Sequence, residues 1–297
     1  MSSRPSIRTP ADPGALPMTL PLLVEKKRLA DPIVMVTAYD YPSARAAQAA
    51  GVDLVLVGDS AATTVLGHNA TTPVGLDEML VLARAVRRGL TTPLLIGDLP
   101  FGSYEVSDEQ AITTAMRMVK EAGCEAVKLE GGGEASVRRA RAIIGAGIPV
   151  MGHVGLTPQT ATALGGWKAQ GRSAATAAKI AAEALALQDA GCFALVFEAI
   201  PSAVTEQLMT LLEIPVIGIG AGPATDGQVL VFHDLLGIRD GLGARFVKRY
   251  ANLQQDMNDG VSAYAEDVRA RRYPGPEHTY SIDPAELAEL RERLAAR

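Results

Sequence analysis

Six side chains that could act as acids, bases or metal ligands stand at the ends of short apolar segments. The apolar pattern of each segment predicts a buried strand. The residues are Asp59, Asp98, Lys128, Glu130, His153 and Glu198. One acid after a strand often caps a helix, and a lone histidine there is usually a core residue. Here four acids stand at four strand ends, and none is followed directly by a helical pattern. Helix capping therefore explains them poorly, and we predict that they share a site.

Strand and helix patterns alternate along the chain and must position these groups. Strands are predicted at residues 33–38, 53–58, 93–98, 126–130, 148–153, 193–198, 214–219 and 229–233, with helices at 43–50, 76–89, 108–122, 134–146, 174–190 and 202–212. This alternation is typical of a parallel sheet covered by helices, and eight units favour a closed (β/α)8 TIM barrel. The carboxyl ends of barrel strands meet at one mouth, so the six side chains should meet there.

The two-residue period of a strand predicts which way these side chains point. Lys128 and Glu130 should share a face. Asp59 should share the face of Val55 and Val57. The segment 61–74 that follows Asp59 is long, polar and glycine-containing, and we expect it to be a functional loop.

Buried carboxylates that face one another need a cation, and all-oxygen ligands indicate Mg2+, Mn2+ or Ca2+. Magnesium takes only one or two carboxylates, so Asp59 and Asp98 are predicted to bind it directly and Glu130 through water. Glu198 ends an apolar strand and is left as a candidate general base, with a helix-capping role before Ala199-Ile-Pro201 as the alternative.

Composition narrows the class of protein and its location. The net charge is −5 and aromatic residues make up 4% of the chain, which argues against a nucleic-acid partner. No apolar run is long enough for a membrane span and no signal peptide is recognisable, so the cytoplasm is predicted. Cys124 and Cys192 are expected to be reduced and buried.

The chain is expected to divide into three parts. Residues 1–18 are predicted to be a disordered tail, residues 19–280 a single catalytic barrel, and residues 281–297 a helical extension. One or two terminal helices are expected within 244–273. The last helix, beginning at Asp283, has leucines at 287, 290 and 294, and this stripe predicts packing on another subunit.

The motifs together resemble those of the ketopantoate hydroxymethyltransferase family. The matching stretches run in order from about residue 33 to 278: MVTAYDYPSAR, LVLVGDSAATTVLGH, GDLPFGSYE, AVKLEGG, VMGHVGLTPQ, GGWKAQGR, IPVIGIGAGPATDGQVLVFHDLLGI, ARFVKRYA and YPGPEH. Departures are mild: many members have Leu-Gly-Met where this chain has Ala61-Ala-Thr63, and alanine is common at Gly97. The helix after residue 283 looks like an extension that many members lack.

The resemblance implies a magnesium-dependent TIM barrel that assembles as a homodecamer. It implies that Asp59, Asp98 and Glu130 hold the metal and that Ser60, Asp98 and Lys128 contact the oxo acid. Asp59, as a metal ligand, also borders the substrate. Glu198 would be the proton acceptor, and His153 is expected to hydrogen bond to the substrate or to its surroundings.

The implied reaction transfers a hydroxymethyl group from 5,10-methylenetetrahydrofolate to 3-methyl-2-oxobutanoate, giving 2-dehydropantoate for pantothenate synthesis. An alternative is a metal-dependent carbon–carbon lyase or mutase of oxo acids on the same barrel. A non-catalytic relative kept for assembly is a further alternative, against which the intact acids argue.

Overall fold

The computed structural model describes residues 16–239, 241 and 243–297. These residues form two compact units, divided between Tyr250 and Ala251. The predicted tail at 1–18 lies almost entirely outside the described residues. Of its last three residues, Met18 donates its backbone N–H to the carbonyl of Thr92, at 2.7 Å.

Eight parallel strands form a closed barrel in which each strand pairs with its neighbours in chain order and the last pairs with the first. The strands are β1 (Ile33–Thr37), β2 (Leu54–Val57), β3 (Leu94–Asp98), β4 (Ala126–Lys128), β5 (Val150–Gly155), β6 (Ala194–Glu198), β7 (Val216–Ile219) and β8 (Gly227–Leu230). The predicted barrel is therefore confirmed.

Helices precede, connect and follow these strands in the first unit. They are α1 (Leu20–Arg28), α2 (Tyr41–Ala50), α3 (Ala61–Thr64), α4 (Leu76–Gly89), α5 (Asp108–Ala122), α6 (Glu134–Gly145), α7 (Ala174–Asp189), α8 (Ser202–Met209) and α9 (Phe232–Leu236). None of the helices in the described part of the chain has the length and apolarity that a membrane crossing requires.

Side chains of alternate strand residues fill two separate cores. Leu54, Leu56, Ile96, Met151 and Val196 belong to the core inside the barrel. The intervening residues pack outwards, against the helices. The two-residue period of the strands produces this separation and fixes which side chains can reach the barrel mouth.

The last strand, predicted at 229–233, begins two residues earlier and ends three residues earlier in the structure, at Gly227–Leu230. β8 ends at Leu230, and α9 begins at Phe232, whose N–H donates to the Thr37 hydroxyl at 2.9 Å. Gly237 ends α9 with a φ of 65°, in the left-handed conformation that glycine adopts easily. The segment around His233 therefore turns into a helix, although its valines and phenylalanine resemble a strand.

The second unit contains α10 (Leu253–Arg269) and α11 (Pro284–Ala295). As the sequence predicts, Asp283 caps α11, accepting the Ala285 N–H at 2.8 Å. Leu290 and Leu294 are exposed. Packing of this stripe on another subunit stays a prediction.

Gly155 offers a test of how tightly β5 and β6 are joined. Its φ is +98°, and a Cβ there would lie 2.3 Å from the Glu198 carbonyl oxygen. Gly147 has a similar φ of +88° but open space around it. Gly147→Ala should therefore lose only the conformational term, about 1–2 kcal/mol of unfolding free energy. Gly155→Ala should lose at least about 1 kcal/mol more, since backbone must move.

Urea unfolding followed by circular dichroism measures both losses. Equal losses for the two variants would mean that the β5–β6 contact adapts to a methyl group.

Candidate active site

Four of the predicted site residues continue the inward-facing rows of the barrel. Asp98, Lys128, His153 and Glu198 each follow, two residues later, a side chain of the inner core. Asp98 pairs in register with Lys128 across β3 and β4. The alternation of the strands thus delivers these four groups to one end of the barrel interior.

Asp59 reaches the same place by a different route. Val55 and Val57 pack outwards against the helices, so the predicted shared face with Asp59 is wrong. β2 stops at Val57, and the chain turns at Gly58. The Asp59 N–H then donates to Asp98 Oδ2 at 3.1 Å, and the Asp59 carboxylate is 4% exposed. The turn, rather than the strand period, directs this carboxylate.

The Lys128 ammonium lies among the buried acids. Its Nζ is 2.8 Å from Asp98 Oδ1 and 3.8 Å from Glu130 Oε1. It is also 3.4 Å from His153 Nδ1. Lys128 is 4% exposed, so its charge is partnered by protein groups rather than by bulk water.

His153 lies between two glutamates. Its Nδ1 is 3.3 Å from Glu130 Oε1, and its Nε2 is 3.3 Å from Glu198 Oε2. The Glu198 side chain is 14% exposed, against 2% for that of Glu130. Glu198 is therefore the acid of this pair that faces the open part of the site, and the imidazole fixes its direction.

Gln159 is a site residue that the sequence analysis did not single out. Its Nε2 donates to Asp59 Oδ2 and to the Leu99 carbonyl, both at 3.0 Å. Its N–H donates to Glu130 Oε2 at 2.9 Å, and its Oε1 accepts from the Tyr104 hydroxyl at 2.7 Å. This one residue joins the acids that follow β2 and β4.

Ser60 follows Asp59 at the cavity wall. Its hydroxyl lies 2.8 Å from the Tyr39 hydroxyl, which accepts from Thr37 Oγ1 at 2.9 Å. Its carbonyl accepts the hydroxyls of Thr63 and Thr64 at the start of the predicted loop. The beginning of that loop is the short helix α3. These contacts fix Ser60 while leaving its hydroxyl beside the cavity.

The negative charge of the carboxylates in this cluster exceeds the positive charge of its two cations, Lys128 and His153. Burial raises the pKa of Asp59 well above its usual range, and the carboxylates of Asp98 and Glu130 raise it further. Burial also raises the pKa of Asp98, although the Lys128 ammonium opposes that rise. The floor of the site therefore favours an additional cation or a proton.

His153 and Glu130 shift each other in the expected directions. Burial and the charge of Lys128 oppose protonation of His153, but its hydrogen bonds to Glu130 and Glu198 raise its pKa to about 9. Burial alone would raise the pKa of Glu130; the hydrogen bond and charge of His153 outweigh it and hold that pKa below its usual range. Near neutral pH the two form a charged pair.

The acids fit a magnesium ion in the way that this metal prefers. Among the described residues, no three His, Cys, Asp or Glu side chains form a ready-made metal cage. Magnesium does not need one, since it takes one or two carboxylates and keeps water and substrate oxygens. Asp59 and Asp98 lie beside each other and burial raises the pKa of both, whereas Glu130 forms a charged pair with His153 that holds its pKa below the usual range. Contact through water suits Glu130.

All seven predicted site residues line one cavity of about 1080 Å3, which Asp59, Ser60, Asp98, Lys128, Glu130, His153 and Glu198 share with residues of the surrounding loops. A five-carbon oxo acid would fill a small part of this space. The cavity therefore has room for a second, larger molecule.

A family model described as Ketopantoate hydroxymethyltransferase matches residues 17–276. The 3-methyl-2-oxobutanoate hydroxymethyltransferase 1, mitochondrial, of Arabidopsis thaliana is 51% identical over 276 residues, covering 91% of this chain and 80% of that protein. The 3-methyl-2-oxobutanoate hydroxymethyltransferase of Moorella thermoacetica is 51% identical over 263 residues, covering 89% and 97%.

Solved structures share the barrel at much lower identity. A 2,3-dimethylmalate lyase of the PEP mutase/isocitrate lyase superfamily superposes with a TM-score of 0.54 at 18% identity, covering 94% of this chain and 98% of that one. A phosphonopyruvate hydrolase in complex with oxalate and Mg++ gives 0.54 at 14%, covering 94% and 97%. These likenesses show the fold alone. The match to the family model and the identity to these relatives show that the chain belongs to the ketopantoate hydroxymethyltransferase family of transferases.

Proposed function

We propose that this enzyme transfers a hydroxymethyl group from 5,10-methylenetetrahydrofolate to 3-methyl-2-oxobutanoate with the help of magnesium, giving 2-dehydropantoate for pantothenate biosynthesis. Family membership supports the reaction class and the pathway. The observation that carries the mechanism is the position of Glu198. It is the partly exposed acid at the edge of a buried cluster, held by His153 at 3.3 Å.

Asp59 and Asp98 would hold the magnesium ion, which supplies Lewis-acid polarisation of the ketone when bound. Glu198 removes the proton from C3 of the oxo acid. The Lys128 ammonium stabilises the negative charge that develops on the ketone oxygen. Ser60 offers its hydroxyl to the carboxylate of the oxo acid, and His153 keeps Glu198 directed at C3.

Carbon–carbon bond formation completes the reaction. One water breaks both carbon–nitrogen bonds of the folate methylene carbon, which gives formaldehyde and tetrahydrofolate with one proton on each freed nitrogen. The C3 carbanion then adds to the formaldehyde carbon, and the new alkoxide takes up the proton that Glu198 removed from C3. A lyase or mutase shares the fold, but at 14–18% identity that likeness carries no reaction.

We also propose a homodecamer, which the family resemblance alone implies, and a location in the cytoplasm, as predicted above. The division into a tail, a barrel domain and a C-terminal extension is proposed from the sequence.

Proton exchange tests the proposed chemistry directly. The proton NMR signal of C3 in 3-methyl-2-oxobutanoate should disappear in D2O when enzyme and Mg2+ are present without folate, and EDTA should prevent the loss. Exchange only after a folate is added would mean that the folate makes the base competent. If neither proton exchange nor turnover is observed, the transferase mechanism is excluded.

Glu198→Gln should lower kcat by about 10²–10⁴-fold, since loss of a general base typically has this effect. Magnesium-dependent binding of the oxo acid should persist, because the amide keeps the shape of the side chain. Calorimetry and steady-state kinetics measure the two properties. Glu206→Gln, an exposed glutamate on α8, is the matched control. Loss of oxo-acid binding in Glu198→Gln would mean that Glu198 is a ligand or a structural residue.

Asp98→Asn should weaken magnesium affinity by at least about tenfold, because a neutral amide replaces a carboxylate ligand. The same change at Asp77, an exposed residue that pairs with Arg117 at 2.9 Å, should leave affinity unchanged. Calorimetric titration of Mg2+ in the presence of the oxo acid makes the comparison. Equal affinities for wild type and Asp98→Asn would refute a metal role for this acid.

A further inference from the structure

The cavity has two parts of different chemistry. Its floor holds the buried acids, Lys128 and His153. Its outer rim is formed by exposed residues from loops, among them Trp167, Lys168, Arg245 and Phe246. These four, called the rim below, combine two aromatic rings with two cations. The oxo acid and its proton transfer use the floor, which leaves the rim without an assigned ligand.

Trp167 is the rim residue that most clearly indicates a bound ligand. It is the single tryptophan of the chain, and its side chain is 60% exposed. A large aromatic ring left in contact with water at the mouth of a cavity loses the burial that usually stabilises it. Exposed aromatic rings of this kind commonly serve as stacking surfaces for flat ligands.

The loop that carries Trp167 is held at the end of β6, beside the proposed base. The Gln170 N–H donates to the Ala199 carbonyl at 2.9 Å, and Ala199 directly follows Glu198. The Gln170 side chain donates to the Lys168 carbonyl at 3.0 Å, and the Gly166 N–H donates to the Ala161 carbonyl at 2.8 Å. A ring stacked on Trp167 would therefore enter the cavity from the side of the carbon that Glu198 deprotonates.

The charges of the rim select an anionic ligand. Lys168 comes directly after Trp167, and Arg245 directly precedes Phe246. Arg239, which also lines the cavity, is paired with Asp234 at 2.6 Å. Lysine and arginine bind carboxylates through charge-assisted hydrogen bonds. A flat ring system joined to carboxylates is the chemistry that complements this surface.

We infer that the rim is the binding site of the folate donor, with Trp167 stacking on its ring system and Lys168 and Arg245 receiving its glutamate carboxylates. This inference rests on the proposed function, which requires a folate in the same cavity as the oxo acid. It adds the residues that bind the donor and the part of the donor that each one recognises.

Trp167→Ala should raise the KM for 5,10-methylenetetrahydrofolate by at least about fivefold, the lower end of the effect of removing one stacking partner. The KM for the oxo acid and the magnesium affinity should stay within about twofold of wild type. Trp167→Phe should restore most of the loss, since a smaller ring still stacks. Tyr41→Ala removes an exposed aromatic ring outside the cavity and is the matched control.

The charged part of the site has a separate test. Calorimetry compares binding of 5-formyltetrahydrofolate with binding of the corresponding pteroate, which lacks the glutamate. Lys168→Ala and Arg245→Ala should weaken the first by about 3–10-fold and leave the second unchanged. An equal effect on both probes would mean that these cations do not bind the glutamate.

The outcomes separate this inference from the proposed function. A wild-type enzyme that neither binds folates nor turns over with them would remove the function itself. A wild-type enzyme that uses the folate while Trp167→Ala keeps its KM would overturn only the assignment of the rim. An equal rise in the KM for the oxo acid would show that Trp167 supports the loop and does not stack.

Discussion

The structure depends on holding three buried carboxylates and one ammonium within a few ångströms of each other. Lys128 is 2.8 Å from Asp98, and the Asp59 N–H is 3.1 Å from the same carboxylate. Removing these charges from water is costly, and burial together with the carboxylates of Asp98 and Glu130 raises the pKa of Asp59. An anionic oxo acid would add to the negative charge of these carboxylates. In the proposed reaction, a divalent cation bound with the substrate would relieve the repulsion, so that metal and substrate would each favour binding of the other.

The barrel can hold such a cluster because its strands are packed closely by the helices outside. A Cβ at Gly97 would lie 2.9 Å from Cys124 Sγ and 3.2 Å from Met118 Cε. Gly97 therefore leaves the space that these larger side chains fill. Cys124 and Cys192 are both buried and free, as the sequence predicts. This packing fixes β3, and with it the direction of Asp98.

Strand period predicts much of this site because it is a local property of the sequence. Asp98, Lys128, His153 and Glu198 follow inner-core residues at intervals of two, so their meeting follows from the barrel alone. The strand period does not predict the direction of Asp59, because the turn at Gly58 breaks the period. Gln159 carries no such signal, since it lies in a short 3-10 turn, Pro158–Thr160, and its partners are distant in sequence. The family motif that contains it, VMGHVGLTPQ, is the signal that could have singled it out.

In the proposed reaction, the two parts of the cavity would receive the two unlike substrates. The floor is rigid, because Gln159 and His153 tie together acids that come from separate strands. The rim consists of loop residues whose side chains are exposed, so it can receive a large ligand without disturbing those hydrogen bonds. The link between them is short: Glu198 is followed by Ala199, which accepts the hydrogen bond of the tryptophan loop. Through this backbone contact, the proposed ligand of the rim would lie beside the proposed base, so that the carbon to be added could meet the carbon that loses its proton.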